Sequence, residues 1–436
     1  MDKKELFKRI LLDTGKRQDL TARALELPTE IRKVIALYGP RRCGKTSLFH
    51  QTIQKLLDRK VPLSRLLYIH FEDERIHPFS QEDWERLLES HHELYPESVG
   101  HRKYLFLDEV QEIPLWEKFV RRVSDSGEFQ VFVTGSSSKL LSREIATSLR
   151  GRTLSYFLMP FSFREFLDFK NLKLPIHWEH SDLRHKIKSL FFEYLQFGGF
   201  PEILDKEESI KIRILQEYFD LIFYKDIVER HRLRNQALMR ELMRYLLSNF
   251  ASLFSIHGFY HFLKSKGQKI SKNTLFEYLD CLEDVSFVKM IPVFDASFKK
   301  QQVNPKKAYS IDLGLVTASS FQFSENRGKY LENLVFLELW RRGGKEIYYF
   351  KTRNQKEVDF LLVENGKPRQ LIQVTRHLDS PKTEQREMDS LVEASKELGI
   401  RDCLILTEDT LAEKTSEKIP IKIMPIWSWL LKESDG

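Results

Sequence analysis

Eight consecutive residues, Gly39-Pro40-Arg41-Arg42-Cys43-Gly44-Lys45-Thr46, have the types and spacing to hold phosphate. Glycine, four residues, then Gly-Lys-Thr is the pattern of a P-loop, or Walker A loop. Its glycines let backbone N–H groups crowd an anion at the N-terminus of the next helix. Lys45 adds a point charge beside the β and γ phosphates, and the Thr46 hydroxyl is placed to ligate Mg²⁺. The expected ligand is ATP with Mg²⁺, and the expected contacts run from Gly39 through Thr46 to Ser47. The flanks supply the context the loop needs. Val34-Ile35-Ala36-Leu37-Tyr38 reads as a buried strand, and Leu48, Phe49, Thr52 and Leu56 recur at helical spacing up to Asp58.

A second constellation lies downstream, at Lys103-Tyr104-Leu105-Phe106-Leu107-Asp108-Glu109. An apolar run ending in Asp-Glu is a Walker B strand. Asp108 is expected to hold Mg²⁺, directly or through water. Glu109 is expected to polarise the attacking water as general base.

The elements that must position these groups follow from hydrophobic pattern. Residues 1–33 read as a charged lead-in helix with Leu6, Ile10 and Leu11 on one face. Leu66–Phe71 and Gln130–Ser136 read as further strands, and Trp84, Leu87 and Leu88 mark a helix between them. Arg150-Gly151-Arg152 precedes a strand at Thr153–Leu158. The expected segments are an ATPase core over 1–159, a helical lid over 160–234, a three-helix unit with a β-ribbon over 235–325, and an α/β unit over 326–436. In the third segment Leu238, Met239, Leu242, Met243 and Leu246 mark one helix, and Phe259, Phe262 and Leu263 a second. Ser271 caps a third that carries Leu275, Tyr278, Leu279 and Leu282. Two strand-like pieces follow, at Phe287–Ile291 and Ala308–Ile311, which makes the segment a winged helix. Its third helix would offer Lys272, Asn273 and Thr274 to DNA, with Lys264, Lys266 and Lys269 ahead of it. In the last segment a helix begins at Tyr330. Strands follow at Ile347–Phe350, Val358–Val363 and Leu371–Thr375, with Asn365-Gly366 as a turn.

Bulk composition sets the outer limits. The chain has 436 residues, 42% of them hydrophobic, and a net charge of +7. That is enough for about three domains of ~100–200 residues, each with a real core. A modest basic surplus permits nucleic-acid contact without requiring it. Cys43, Cys281 and Cys403 lie far apart with no metal-ligand spacing, as expected of free thiols in a reducing compartment. The N-terminus lacks a secretory apolar core, and no apolar run approaches the ~18 residues of a membrane span. A cytoplasmic protein without membrane contact is expected.

In combination these motifs resemble the bacterial and archaeal AAA-type (AAA+) ATPases that end in a PD-(D/E)XK nuclease-like domain. The resemblance rests on Gly39–Thr46, Leu107-Asp108-Glu109, Thr134-Gly135-Ser136, Gly151-Arg152, Gly198-Gly199-Phe200-Pro201 and the set Glu332, Asp359 and Gln373. It implies an α/β fold: a P-loop core, helical lid, winged helix and C-terminal PD-(D/E)XK-like domain. It implies a sensor polar residue at the tip of the fourth strand, Ser136 first and Thr134 second. It implies an arginine finger reaching a neighbouring subunit, Arg152 first and Arg150 in reserve. Pro201 would pack near adenine, as in the lid motif of signalling ATPases. In the nuclease-like centre Glu332 and Asp359 are kept, but Gln373 and Thr375 stand where the motif has an acid and a lysine. Cleavage there is not expected, unless a lysine such as Lys396 migrates into the site.

The resulting expectation is an ATP-hydrolysing motor or switch acting on DNA, with branched DNA and branch migration in view, assembled as a homo-oligomer for which a hexamer is compatible. The alternatives are a STAND-type signalling switch, favoured by the Gly-Gly-Phe-Pro motif, and an ATP-gated nuclease.

Overall fold

The computed structural model describes residues 2–16, 20–135, 151–175, 178, 182–231, 233–319, 323 and 325–432. It divides into two compact units: Met1–Pro160 with Asp284–Ser286, and Phe161–Glu283 with Phe287–Gly436.

The first unit is built on five parallel strands: β1 (Val34–Tyr38), β2 (Leu66–His70), β3 (Lys103–Asp108), β4 (Phe129–Gly135) and β5 (Thr153–Phe157), in the order β2-β3-β4-β1-β5. Side chains alternate across a strand, so each central strand serves two cores. Val34 and Ala36 face one core with Leu105, Leu107, Val131 and Val133. Ile35 and Leu37 face the other with Phe106 and Phe132. This double burial is why these strands read as unbroken apolar runs. The first core is covered by α1 (Lys3–Leu12), α3 (Asp83–Leu94) and α4 (Trp116–Asp125), with Trp84 stacked on Phe119 at 4.0 Å between ring centres. The lead-in segment thus holds a ten-residue helix whose Leu6, Phe7 and Leu11 pack on the ATPase core. The second core is covered by α2 (Lys45–Asp58), which places the P-loop helix directly behind β1.

The second unit opens with α5 (Phe163–Phe169), whose Ser162 and Glu165 form a reciprocal capping box. Then come α6 (Leu183–Phe197) and α7 (Glu208–Leu221), and a π-helical stretch at Ile222–Val228. Three helices follow: α8 (Gln236–Ser248), α9 (Ile256–Ser265) and α10 (Lys272–Asp284). They accompany an antiparallel sheet of β6 (Ser252–Phe254), β7 (Val288–Ile291) and β8 (Lys306–Ser310), in the order β6-β8-β7. Strand β6 carries no sequence signal, since its three residues are too few to show a period.

Next come α11 (Leu313–Ser319) and α12 (Arg327–Arg342), then β9 (Glu346–Lys351), β10 (Glu357–Glu364) and β11 (Lys367–Val374) as an antiparallel meander. Helix α13 (Pro381–Leu398) leads to β12 (Cys403–Thr407), parallel to β11. Strands β13 (Ala412–Ser416) and β14 (Ile419–Pro425) complete a six-stranded sheet, β13-β14-β12-β11-β10-β9. Asp312, fully buried before α11, fixes the Gly198-Gly199 turn: its carboxylate accepts the N–H groups of Gly199 and Gly314, both at 2.8 Å. A Cβ on Gly199 would fall 2.2 Å from the Phe161 carbonyl oxygen, so the close approach requires glycine.

Candidate functional site

The P-loop leaves β1 at Tyr38 and enters α2 at Lys45. Gly39 passes so close to β5 that a Cβ there would lie 2.2 Å from the Leu158 carbonyl oxygen. Gly44 has φ 96°, a left-handed backbone natural to glycine. Lys45 is 4% exposed; its ammonium donates to the carbonyls of Gly39 (3.2 Å) and Pro40 (3.3 Å) and lies 3.5 Å from Glu109 Oε1. Arg41 pairs with Glu72 at 2.8 Å.

Asp108 and Glu109 lie at the end of β3. Asp108 is fully buried, and both its oxygens are held by neighbouring hydroxyls. Thr134 donates to Oδ1, and Tyr68 donates to Oδ2 at 2.9 Å. The Thr134 hydroxyl also accepts the Glu109 N–H at 2.8 Å, so one side chain joins both acidic residues. Glu109 has φ 53°, a left-handed backbone costly for a residue with a side chain and typical of functional positions. Gln111 donates to Glu109 Oε2 at 2.6 Å, which orients that carboxylate toward Lys45. Burial and the nearby Asp108 push the Tyr68 phenol far above its ordinary range, so it stays a donor. His50 packs on Tyr68, and burial lowers its pKa against the pull of Asp108.

Several side chains here carry no local sequence signal. Arg23 is buried in the lead-in segment, where its guanidinium donates to the carbonyls of Cys43 and Met159, both at 2.7 Å. It ties the P-loop backbone to the end of β5. Tyr68 is likewise legible only once β2 pairs with β3. Of the two expected sensor residues, Thr134 sits at the acidic pair, while Ser136 lies outside the described residues. Arg150 lies outside them too. Arg152 precedes β5, where its carbonyl accepts the Val34 N–H at 2.8 Å and its guanidinium meets Asp125 at 3.1 Å. That is the N-terminal edge of the strands, a strand's length from the P-loop.

ATP with Mg²⁺ fits these residues. Buried Lys45 at the start of α2, whose first N–H groups have no partner within the helix, suits a polyphosphate. A hydroxyl from Thr46 and a carboxylate from Asp108 are hard oxygen donors of the kind Mg²⁺ takes. Among the described residues no group of three or more His, Cys, Asp or Glu residues forms a metal cluster of its own.

In the second unit Pro201 starts a short 3₁₀ turn, Pro201–Ile203. Lys264, Lys269, Lys272 and Asn273 are exposed and Thr274 half-buried around the start of α10. Lys266 pairs with Glu241 at 2.9 Å and lies 4.3 Å from the Phe262 ring centre, so its charge is partly spent within the protein. Glu332, Asp359 and Gln373 do converge. Asp359 Oδ2 accepts the Val374 N–H at 2.9 Å, and Gln373 accepts the Asp359 N–H at 3.3 Å. Thr375 sits just past β11, with its hydroxyl on the His377 carbonyl. Lys396 is exposed and pairs with Glu417.

The cation at this centre is one the sequence did not offer. Lys307, on β8, is 3% exposed and contacts Asp359 (2.8 Å), Glu332 (2.9 Å) and Glu357 (2.9 Å). Tyr309 also donates to Glu332, at 2.8 Å. Burial opposes the Lys307 charge, but Asp359 and Glu332 outweigh it and hold the pKa well above the usual lysine range.

Comparison with known proteins agrees with the P-loop geometry. The AAA-domain family matches residues 31–167. Two domains of unknown function, DUF8612 and DUF4143, match residues 188–326 and 327–429. Protein MJ1544 of Methanocaldococcus jannaschii, itself uncharacterized, is 39% identical over 99% of this chain and 96% of its own length. An uncharacterized protein of Haemophilus influenzae is 30% identical over 76% of this chain and 80% of its own length. Among solved structures, the Walker-type ATPase PABY2304 of Pyrococcus abyssi aligns with TM-score 0.40 and 15% identity, over 72% of this chain and 95% of that one. The chain carries an AAA-type P-loop ATPase domain.

Proposed function

The chain belongs to the family of the Methanocaldococcus jannaschii protein MJ1544, and we propose that it is an ATP-hydrolysing switch or motor that acts on DNA as a homo-oligomer. One observation carries the ATPase part: Thr134 binds Asp108 and the backbone of Glu109 at once, opposite Lys45. Lys45 would release the Gly39 and Pro40 carbonyls to hold the β and γ phosphates. Thr46 and Asp108 would hold Mg²⁺, which when bound offsets charge on the transferring phosphoryl group. Glu109, steadied by Gln111, would orient a water toward the γ-phosphate. Arg152 lies a strand's length from its own P-loop and pairs with Asp125, so any part it takes in turnover would be at a neighbouring subunit's site.

The DNA part is supported by the second unit. Three helices and a sheet in the order β6-β8-β7 have the make-up of a winged helix, and exposed lysines gather at the start of α10. Such lysines give salt-dependent phosphate contacts, and the helix gives position. The C-terminal sheet is proposed as a DNA-binding or assembly surface: Lys307 supplies the cation that Thr375 cannot, but neutral Gln373 still stands where the motif has a metal-holding acid. The test is ATP turnover with and without duplex, forked and four-way DNA. Strong stimulation supports the reading. Indifference to every DNA favours a signalling switch, a second reading to which the Asp312-anchored Gly198-Gly199 turn lends support.

A further inference from the structure

On the outer face of α9, His257 and His261 stand one helical turn apart, with Nε2 atoms 3.0 Å from each other. The Lys272 ammonium, from the first residue of α10, lies 2.8 Å from His257 Nδ1 and 5.2 Å from the Tyr260 ring centre. The groups that shift the His257 pKa are Lys272 first and His261 last, both downward, and no carboxylate enters. Beside these side chains opens a shallow cleft of about 530 Å³ lined by Tyr260, Lys264, Gln268, Lys269 and Ser271, again without a carboxylate. Glu241, on α8, is committed to Lys266 and Gln268. Three basic side chains stand in a hydrogen-bonded row, and among the described residues no ion pair joins them to a carboxylate, so they form a place for an anion.

We propose that His257, His261 and Lys272 form a phosphate-binding site for the nucleic-acid backbone, and that its affinity is set by proton uptake on the histidine pair. This rests on the DNA reading above and adds its regulation. With both imidazoles neutral, Lys272 donates to His257, and His257 donates on to His261. The chain then presents one positive charge. A phosphate diester drawing near favours one added proton on the pair: uptake breaks the Lys272–His257 or the His257–His261 hydrogen bond and gives the site a second positive charge, whose repulsion from Lys272 the diester offsets. Each phosphate contact adds roughly 0.9 to the slope of log K against log salt. The site therefore gains about one contact as pH falls, below the ordinary histidine range because Lys272 opposes the added charge on His257. A metal chelated by the two histidines is less favoured, since Lys272 already occupies one of their nitrogens.

The experiment measures binding of a fluorescent DNA duplex to the full chain at pH 5.5, 6.5, 7.5 and 8.5, at several salt concentrations, in EDTA. Wild type is compared with His257→Gln/His261→Gln and with Lys272→Gln; all three residues are exposed, so the fold should hold. Wild-type affinity should rise several-fold toward pH 5.5, with a salt slope steeper by about one unit. The double histidine variant should lose that rise and match wild type near pH 8.5. A pH-independent wild type, or a double variant that keeps the full rise, overturns the proposal while salt-dependent DNA binding leaves the DNA reading standing. No DNA binding at any pH or salt overturns both. Binding that disappears in EDTA and returns with Zn²⁺ makes the pair a metal chelator and also overturns it.

Discussion

The Tyr68 phenol donates to Asp108 Oδ2 at 2.9 Å, from the strand beside the one that carries the acidic pair. Together with Thr134 on Oδ1, it holds the Walker B carboxylate by both oxygens. A hydrogen bond to a charged group is worth about 1.5–3 kcal/mol. Tyr68→Phe should therefore shift the Mg²⁺ dependence of ATP turnover to higher concentration by roughly tenfold. Thr134→Val should do more, because Thr134 also holds the Glu109 N–H. A Mg²⁺ titration of the steady-state rate reads both. An unchanged titration for both variants would mean that these hydroxyls do not position the metal ligand.

Arg152 and the P-loop stand at opposite ends of their strands. If Arg152 completes a neighbour's site, neither Arg152→Ala nor Lys45→Ala should turn over ATP at the normal rate alone. Mixing the two should restore part of the rate, because one mixed interface has both halves intact. No recovery in a mixture shown by native mass spectrometry to exchange subunits would count against a finger acting across the interface.

Lys307 is the cation of the C-terminal carboxylate centre. Lys307→Met should destabilise the protein by about 3–5 kcal/mol, the usual penalty for removing one partner of a buried ion pair. Adding Asp359→Asn to that variant should recover part of the loss, since fewer buried charges are left unbalanced. Wild-type protein should not cleave linear, forked or four-way DNA with Mg²⁺ or Mn²⁺, with or without ATP. Cleavage that disappears in Asp359→Ala protein would instead make this centre a nuclease.

Asp312 should give the stability of the second unit a pH dependence. Burial raises its pKa to about 7, against the two backbone N–H groups it accepts and against Arg341. A carboxyl with a raised folded pKa binds its proton more tightly when folded. The native state then holds more protons than the unfolded chain between the ordinary carboxylate range and that value. Stability should fall as pH rises across this window. Asp312→Ala should flatten the dependence, at the cost of the Gly199 and Gly314 hydrogen bonds. Chemical denaturation at pH 5, 6, 7 and 8 measures it, and stability that rises over that range for wild type would contradict the assignment.

The sequence carried the parts of the site that depend on neighbours along the chain. The P-loop from Gly39 to Thr46 and the Asp108-Glu109 pair are contiguous, and their flanking strand and helix show plain periods. Groups brought in by the fold were not legible. Tyr68 reaches Asp108 only through the pairing of β2 with β3. Arg23 reaches the P-loop from a segment with no period of its own. Lys307 was missed because the nuclease-like motif directs attention to β11, whereas the lysine arrives from β8, an element of a different sheet. Thr134, the second of the two expected sensor residues, holds the acidic pair, while Ser136 lies outside the described residues. The third segment's helices were legible from Leu238 to Leu282, but His257 and His261 were not singled out, since two exposed histidines one turn apart gain meaning only when Lys272 meets them.

The central claim is that Lys45, Asp108 and Glu109 hydrolyse ATP in a cycle coupled to DNA. The most direct test is steady-state ATP turnover by wild type, Lys45→Ala and Glu109→Gln, each with and without forked DNA. Wild type should turn over ATP, and DNA should raise the rate several-fold. Lys45→Ala should neither bind nor hydrolyse ATP, and Glu109→Gln should bind ATP yet hydrolyse it about 10²–10⁴-fold more slowly. A wild-type rate equal to that of Lys45→Ala, or a Glu109→Gln rate equal to wild type, would contradict the account.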